Sequence, residues 1–378
     1  MSGLVLITGA DGYVGRRTAQ RMLAETDERL VLSVRAADRA EFAAKHAGLS
    51  SALGEAAAGR IRIVPADLAG DAPMAEVTRE VTVIVHAAAR TEFNLPRPDA
   101  QRVNVEGTVR VAEFAAGCPS LQRFVLVSTL ISAGRSTGVV PETLLSGHEG
   151  FVNHYEWSKH EAERRVAQQF PGLPLTIARL STLIADDEHG HATQHNAFHN
   201  TLKLFFYGLV TIVPGLPDTR LYLATAAATS GALVHLADPA TPAGVYHLAP
   251  SPELAVSLRE TVDTAFDVFE TDESFTRRRL LRPEFCDLEA FRTLVAATQM
   301  LSASPAAGAL RSVAPFAEQL FCPKSFDNSS LMGSWPGGSS FGAAGPLVEA
   351  VCTSLVRTRW GRRSAGETQL AVPIGATP

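Results

Sequence analysis

The chain has 378 residues, of which 46% are hydrophobic and 19% are charged, and its formal net charge is −5. This composition is typical of a soluble globular protein long enough for two domains, or for one large domain with an extension. The negative charge gives no electrostatic reason to expect nucleic-acid binding. The four cysteines are widely spaced, which argues against a zinc ribbon or a disulfide scaffold. With no signal-peptide pattern and no membrane span, we expect a cytoplasmic protein.

Short apolar strands alternate with helical patterns through the first half of the chain. The predicted strands are Leu4–Thr8, Leu30–Val34, Ile61–Pro65, Val81–His86, Phe124–Ser128, Leu175–Leu180 and Val245–Leu248. The predicted helices are Arg16–Glu25, Asp99–Ala116 and Glu156–Gln169. Buried strands separated by helices predict an α/β fold in which a doubly wound, Rossmann-type parallel sheet is covered on both faces.

The pattern changes after Ile184, where a polar stretch over 185–200 is typical of a loop. We predict a dinucleotide-binding domain over 1–250, with residues 185–220 contributing to a smaller C-terminal substrate domain or lid over 251–378. The Gly/Ser-rich segment 332–345 predicts a flexible loop, and the tail from 365 predicts disorder. Three roles remain open for residues 270–378: closing a substrate pocket, docking a carrier protein, or pairing subunits into a homodimer.

A glycine-rich motif, TGADGYVG, lies between the first strand and the first helix. Glycine allows a tight turn and close approach to a pyrophosphate, and the helix N-terminus offers free N–H groups to the phosphates. A glycine turn without a ligand is the alternative, but the flanking strand and helix favour a dinucleotide. The predicted cofactor contacts here are Thr8, Gly9, Gly12, Tyr13, Val14, Gly15 and Arg16.

The end of the second strand indicates which nicotinamide cofactor is used. Arg35 occupies the position where an acidic residue would bind the ribose hydroxyl of NAD, and Arg39 follows it. Arginines suit a 2′-phosphate, so we predict NADP(H), although these side chains could simply cover a solvated face. Further contacts are predicted after the third and fourth strands and in the next helix. They are Asp67, Leu68, Ala87, Ala88, Ala89 and Asn104. Lys159, discussed below, is also predicted to bind the cofactor through its ribose hydroxyls.

A second motif, YEWSK, places Tyr155 and Lys159 one turn apart on one face of a helix. The chain has only five tyrosines, and its lysines are Lys45, Lys159, Lys203 and Lys324. A lysine ammonium and a nicotinamide cation would lower the pKa of the phenol and fit it for proton transfer. A surface pair without chemistry is the alternative. Thr129, or else Ser128, ends the fifth strand and could hydrogen-bond the substrate oxygen beside Tyr155.

In this order, the motifs resemble the extended short-chain dehydrogenase/reductase superfamily over residues 3–250. Four stretches are similar to its thioester reductase and fatty acyl reductase branch. They are His86–Pro96, Arg102–Ala115, Phe124–Gly134 and Tyr155–Val166. The resemblance implies hydride transfer from NADPH to an acyl thioester on a carrier protein or coenzyme A, with Tyr155 and Thr129 stabilising or protonating the oxyanion. It also implies release of a thiol and an aldehyde, with an alcohol as the product of a second hydride.

The sequence departs from the family at two places that concern the substrate. Leu180 follows Arg179 where the family usually has proline, and Leu221–Thr229 lacks an acidic residue often found there. Three alternatives therefore stay open: an aldehyde or ketone reductase, a hydroxysteroid-type dehydrogenase, or a sugar-nucleotide epimerase of the same superfamily. A non-catalytic NADP-binding regulator is a fourth, which the Tyr155–Lys159 pair argues against.

Two other clusters were candidates for function. His191, His195 and His199 are spaced four apart and could ligate a metal on one helix, but they follow Gly190 in a predicted loop, so no metal site is expected. Phe205–Tyr207 and Leu209–Val213 form an apolar patch that could line an acyl pocket or simply pack in a core.

Overall fold

The computed structural model describes residues 3–54, 57–298, 305–335 and 341–361. The strands are β1 (Leu4–Thr8), β2 (Arg29–Val34), β3 (Ile61–Pro65), β4 (Val83–His86), β5 (Arg123–Thr129), β6 (Gly138–Val140), β7 (Leu175–Leu180), β8 (Thr182–Ala185), β9 (Ile212–Pro214), β10 (Arg220–Leu221), β11 (Leu223–Thr225), β12 (Val245–Leu248), β13 (Val256–Ser257), β14 (Glu284–Cys286) and β15 (Lys324–Phe326). The α-helices are α1 (Tyr13–Glu25), α2 (Arg39–Leu53), α3 (Arg97–Asp99), α4 (Gly107–Ala116), α5 (His154–Gln169), α6 (Ala197–Phe206), α7 (Ala226–Ala237), α8 (Leu258–Phe269), α9 (Glu273–Thr276), α10 (Leu288–Thr298), α11 (Pro305–Ala317), α12 (Ser329–Ser334) and α13 (Ala344–Arg357). A π-helical turn spans Ala100–Glu106, and 3₁₀ turns span Leu130–Ala133 and Glu318–Phe321.

Seven parallel strands form the central sheet in the order β12-β7-β5-β4-β1-β2-β3. Along β1, Val5 and Ile7 face one hydrophobic core while Leu6 faces another, as expected when helices cover both faces. The predicted Rossmann-type sheet is confirmed. Because strand order reverses between β1 and β4, loops diverge there and leave a crevice at the carboxyl edge, where such sheets bind ligands.

Beyond β7 the chain builds a third core, which is rich in aromatic side chains. Phe205 and Phe206 on α6 are buried there with Phe266 and Phe269 of α8 and with Trp360. Burying several aromatic rings removes a large apolar area from water and so holds these helices together. Of the two readings of the Phe205–Tyr207 patch, core packing is therefore the one that the structure supports.

Three local predictions need correction. The predicted loop over 185–200 contains the start of α6 at Ala197, where Asn196 caps the helix through the N–H of Phe198. The predicted flexible segment 332–345 contains the end of α12 and the start of α13. No secondary structure was predicted after Glu270, yet the described part of this region forms five helices, α9 to α13. The tail from 365 lies outside the described residues.

The C-terminal segment returns to the first half of the chain. β15 pairs in parallel with β6, and Phe326 packs edge-on against the rings of Tyr222 (5.1 Å between centroids) and His247 (5.4 Å). The amide of Asn328 donates to the carbonyl oxygen of Ala249 (3.0 Å) just after β12. Residues distant in sequence therefore reach the edge of the central sheet.

Within the described ranges, no helix is long and apolar enough to cross a membrane. The four cysteines are free, as their spacing predicts. The uncharged run Leu221–Ala237 forms β11 and α7, both part of the packed interior.

Candidate active site

The glycine motif forms a tight turn between β1 and α1. Gly9 has φ +66°, and a Cβ there would lie 2.8 Å from Cα of Ala88 in the loop after β4. A Cβ on Gly15 would lie 2.3 Å from the carbonyl oxygen of Gly9. Side chains are excluded at both positions because the backbones touch. Gly12 immediately precedes α1, so the first-turn N–H groups of Tyr13 and its neighbours are free of intrahelical partners and fit a pyrophosphate.

A buried histidine ties the two strands that flank the crevice. His86 at the end of β4 hydrogen-bonds Thr8 Oγ1 through Nδ1 (2.7 Å) and Thr108 Oγ1 through Nε2 (2.9 Å). The N–H of Ala88 also donates to Thr8 Oγ1 (3.2 Å). Burial lowers the pKa of His86 to about 3, so the ring stays neutral. Thr8 and Ala87–Ala89 are thereby fixed at the predicted cofactor edge, with the three alanines only partly buried.

Cationic side chains gather at the carboxyl end of β2. Arg35 is exposed, with Nε 3.9 Å from Oδ1 of Asp67, and Arg39 is exposed at the start of α2. Sequence reasoning missed Lys45, whose ammonium donates to the Arg35 carbonyl oxygen (2.6 Å) and pairs with Asp11 of the glycine loop (3.0 Å). Lys45 also pairs with Glu41 (3.1 Å), which leaves Arg35 and Arg39 as the exposed cations at the position predicted for a 2′-phosphate.

Tyr13, within the glycine motif, is held by Asp186, which directly follows β8. The Tyr13 hydroxyl donates to Oδ1 of Asp186 (2.5 Å), which also pairs with Arg17 (2.7 Å) and accepts from the Thr193 hydroxyl (3.1 Å). Arg17 is thus neutralised by Asp186. Arg16 is partly exposed and has no carboxylate within ion-pair distance in the described chain. Arg16 is the first-turn arginine that stays available to an anion.

Two predicted cofactor residues instead support the walls of the crevice. The side chain of Leu68 is buried beneath α4, where a Cβ on Gly107 would lie 2.7 Å from it. The Asn104 amide bonds both main-chain groups of Arg90 (2.8 Å each) and the Ser158 hydroxyl (2.9 Å). Leu68 therefore contributes packing, and Asn104 braces the loop after β4 against α5; their contact with the cofactor stays a prediction. Asn104 lies in the π-helical turn, a feature frequent at functional sites.

Helix α5 carries the predicted proton-transfer pair. Asn153 caps the helix by accepting from the N–H of Glu156 (3.0 Å), which places Tyr155 in the first turn. The Thr129 side chain hydrogen-bonds the phenol and lowers its pKa, but burial and the nearby Glu156 carboxylate outweigh this and raise the pKa of Tyr155. Burial therefore favours the protonated phenol, whereas the lowered pKa predicted from the sequence depends on a nicotinamide cation beside the ring.

Lys159 lies one turn further along α5 and is buried. Its ammonium donates to the carbonyl oxygen of Val127 in β5 (2.6 Å). Burial lowers the pKa of Lys159 to about 8, while the carboxylate of Glu163 acts in the opposite direction. The ammonium is therefore predominantly charged at neutral pH, close to the carboxyl edge of the sheet.

The two hydroxyls at the end of β5 have different partners. Thr129 meets Tyr155, whereas the buried Ser128 donates to Oε1 of Glu163. Of the two candidates for binding a substrate oxygen, Thr129 is the one beside the phenol. Ser128 belongs to an internal network with Glu163, and a catalytic role for it stays a prediction.

A cavity of about 440 Å³ opens beside the first turn of α5. Phe93 lines it and also packs edge-on against the Tyr155 ring, with 5.9 Å between centroids. The lining residues are Phe93, Asn94, Leu95, Arg97, Phe151, Val152, Asn153, His154, Trp157, Ala314, Pro315 and Glu318. Apolar rings thus alternate with amide and charged groups, and helix α11 of the C-terminal part supplies one wall.

The histidine cluster has structural roles. His199 accepts from the N–H of Asn196 and hydrogen-bonds the carbonyl oxygen of Ile184 (2.9 Å), and His195 stacks on it. His191 pairs with Asp187 (2.9 Å). Among the described residues no group of three side chains is arranged to hold a metal ion.

Residues 7–226, more than half of the chain, match the male sterility protein family of NAD-binding domains. The chain belongs to this family. An isonitrile lipopeptide synthase of Streptomyces coeruleorubidus is 32% identical over 210 residues, covering 53% of this chain and 14% of that protein. The chain therefore spans only a small part of the length of this curated relative.

Two solved structures share the fold of this reductase. The terminal R domain of the myxalamid PKS-NRPS pathway superposes with a TM-score of 0.74 at 21% identity, over 95% of this chain and 92% of that one. A thiolation-reductase di-domain from an archaeal non-ribosomal peptide synthetase gives 0.67 at 18% identity, over 95% and 76%. The predicted membership of the extended short-chain dehydrogenase/reductases, in the thioester and acyl reductase branch, is confirmed.

Several residues that shape the active site of this oxidoreductase were assigned no role from the sequence. Lys45, Asp186, Glu163 and Phe93 acquire their roles only when distant elements meet. The scarcity of lysine could have drawn attention to Lys45, and the spacing of Tyr155, Lys159 and Glu163 places all three on one face of α5.

Proposed function

We propose that this reductase transfers a hydride from NADPH to the carbonyl carbon of an acyl thioester held on a carrier protein or on coenzyme A. The products are an aldehyde and a free thiol. The single observation that supports this most is the arrangement of Tyr155, Thr129 and Lys159. A protonated phenol lies beside a second hydroxyl, with a charged ammonium one helical turn behind, and the phenol ring packs against Phe93, which lines the cavity.

Tyr155 acts as the proton donor in the proposed reaction. Bound NADPH supplies the hydride, and the carbonyl oxygen receives the proton of the phenol while Thr129 holds that oxygen by a hydrogen bond. The resulting hemithioacetal collapses as its C–S bond breaks: the oxygen returns its proton to the tyrosinate, and the departing thiolate takes a proton from water to become the free thiol. In this proposal Lys159, one turn further along the same face of α5, stabilises the transient tyrosinate through its positive charge.

The residues at the cofactor edge fit a dinucleotide with a 2′-phosphate. The glycine turn leaves room for the pyrophosphate where any Cβ would collide, and α1 presents its N-terminus there. Arg35 and Arg39 are exposed at the end of β2, and Arg35 occupies the position where an acidic side chain would bind a ribose hydroxyl. We therefore propose NADP(H) as the cofactor.

A carrier-bound substrate is supported by the relatives. In the archaeal non-ribosomal peptide synthetase, a domain of this fold is joined to a thiolation domain. The cavity beside Phe93 is open and lined by both apolar and amide side chains, which suits an acyl group joined to a polar arm.

The decisive experiment is NADPH oxidation by the purified protein with acyl-coenzyme A thioesters, acyl-phosphopantetheine thioesters and the free aldehydes, with products identified by mass spectrometry. Release of thiol together with aldehyde or alcohol, lost in Tyr155→Phe, is the expected result. Turnover of aldehydes or ketones alone would overturn the proposal. It would place the enzyme among the carbonyl reductases of the superfamily.

A further inference from the structure

A buried carboxylate, Glu163, occupies the position one turn beyond Lys159 on α5. Its Oε1 accepts hydrogen bonds from the hydroxyls of Ser128 and Ser132, the latter at 3.0 Å. Its Oε2 accepts from Nη2 of Arg179 in β7 (2.7 Å), and the guanidinium is fully buried. No role for Glu163 follows from the Tyr155–Lys159 motif itself.

Three successive turns of α5 contact three successive residues of β5. Tyr155 hydrogen-bonds Thr129, Lys159 donates to Val127, and Glu163 accepts from Ser128 between them. Thr129 is therefore held by its hydrogen bond to Tyr155 and by the preceding residue, Ser128, which is hydrogen-bonded to Glu163. A carboxylate at this position determines where the carboxyl end of β5 lies relative to the phenol.

The charges around this segment are few. The titratable group that faces Lys159 from β4 is the neutral His86, and the anion that faces it is Glu163. Glu163 itself faces Arg179 from β7, His247 from β12, and Lys159 and His160 from its own helix. In a site from which water is excluded, one carboxylate has a large effect on a neighbouring ammonium.

We propose that Glu163 is a positioning residue of the reductase: it anchors the end of β5 beside Tyr155 and maintains the positive charge of Lys159. The inference rests on the proposed function for its kinetic consequence, but its electrostatic part concerns the protein alone. Loss of the carboxylate would leave Lys159 more often neutral at physiological pH. A neutral amine cannot stabilise a tyrosinate.

The test compares Glu163→Gln with Glu161→Gln, which removes a carboxylate from the same helix where it pairs with Arg164 and Arg165. With only four lysines in the chain, ¹³C-lysine NMR can follow Lys159 directly, assigned by Lys→Arg variants at the other positions. We expect the pKa of Lys159 to fall by about one pH unit in Glu163→Gln and to stay unchanged in Glu161→Gln. The basic limb of the kcat–pH profile should move by the same amount.

Two further variants separate positioning from folding. Glu163→Asp keeps the charge but shortens the side chain, so Lys159 should titrate almost normally while kcat falls several-fold. Because an unpaired Arg179 could unfold Glu163→Gln, the double change with Arg179→Met removes both buried charges and should restore folding without restoring the Lys159 titration. An unchanged Lys159 titration in folded Glu163→Gln overturns the inference. The NMR readout needs no substrate, so it decides this point even if no thioester is turned over.

Discussion

The cofactor edge and the catalytic edge of this site are built from different interactions. At the cofactor edge, backbones touch through Gly9 and Gly15, and a neutral histidine links neighbouring strands. At the catalytic edge, ionisable groups are buried along α5, and the C-terminal part of the chain completes their surroundings. Glu156 beside Tyr155 accepts from the amide of Gln319 (2.7 Å), a partner 163 residues away. The first edge is therefore mainly steric, whereas the second is mainly electrostatic.

That difference has a consequence for mutation. A steric site fails when volume is added, since packed backbones cannot move apart cheaply. An electrostatic site fails when a charge or a proton is removed, although the fold can survive the change. The two edges should thus be separable by variants that affect binding of the dinucleotide without affecting proton transfer, and the reverse.

The largest expected effect is on chemistry alone. Tyr155→Phe removes the proton donor and should lower kcat by about 10³-fold, within the usual range for a general acid. The dissociation constant for NADPH, measured by fluorescence, should change less than about twofold because the phenol does not hold the dinucleotide. Tyr207→Phe, at an exposed position at the end of α6, is the control and should leave both kcat and the dissociation constant unchanged. Equal losses in binding and in kcat would contradict the separation of the two edges.

The opposite separation should follow from Gly15→Ala. The added methyl group would lie 2.3 Å from the Gly9 carbonyl oxygen, so the pyrophosphate turn must shift. We expect NADPH affinity to fall by at least about tenfold, together with a loss of stability of about 1–3 kcal/mol. Gly48→Ala on α2 is the matched control, since nothing lies within 4 Å of its Cβ, and it should stabilise slightly. Normal affinity in Gly15→Ala would show that the turn does not bind the dinucleotide closely.

The choice of cofactor should depend on the cations at the end of β2. Arg35→Ala should lower the ratio of kcat/KM for NADPH over NADH by about tenfold, the lower end of the range for a charge-assisted hydrogen bond. Arg29→Ala, an exposed arginine at the other end of the same strand, should leave the ratio unchanged. An equal loss of kcat/KM with NADPH and with NADH would indicate that Arg35 stabilises the loop and does not bind the 2′-phosphate.

The two edges also differ in how far the sequence predicts them. The TGxxGxxG motif and the apolar strands specify the sheet and the glycine turn, because both depend on neighbours in sequence. The Tyr155–Lys159 spacing likewise predicts a shared helix face. The raised pKa of Tyr155, the role of Ser128 and the cavity beside Phe93 depend on burial and on contacts with distant segments. Periodicity does not carry that information, so tertiary packing decides them.

The smallest effect concerns the contact between α5 and the C-terminal part. Burial raises the pKa of Glu156 to about 7, despite hydrogen bonds from the N–H of Val152 and from Gln319 that favour the carboxylate. A carboxyl group whose pKa is raised by folding costs the protein no stability while it is protonated. Stability falls as the pH rises from 4.5, the pKa of this group in the unfolded chain, to about 7, its pKa in the folded protein. The loss amounts to about 3 kcal/mol at most.

Glu156→Gln is permanently neutral and should escape that loss. Its melting temperature relative to the wild type should therefore rise between pH 5 and pH 8 by a few degrees, as expected for a chain of this size. Glu113→Gln, at an exposed position on α4, should show no such pH dependence. A difference between Glu156→Gln and the wild type that stays constant across this range would mean that Glu156 is charged throughout. The hydrogen bond from Gln319 would then be a charge-assisted one, and the catalytic edge would depend less on a buried neutral carboxyl.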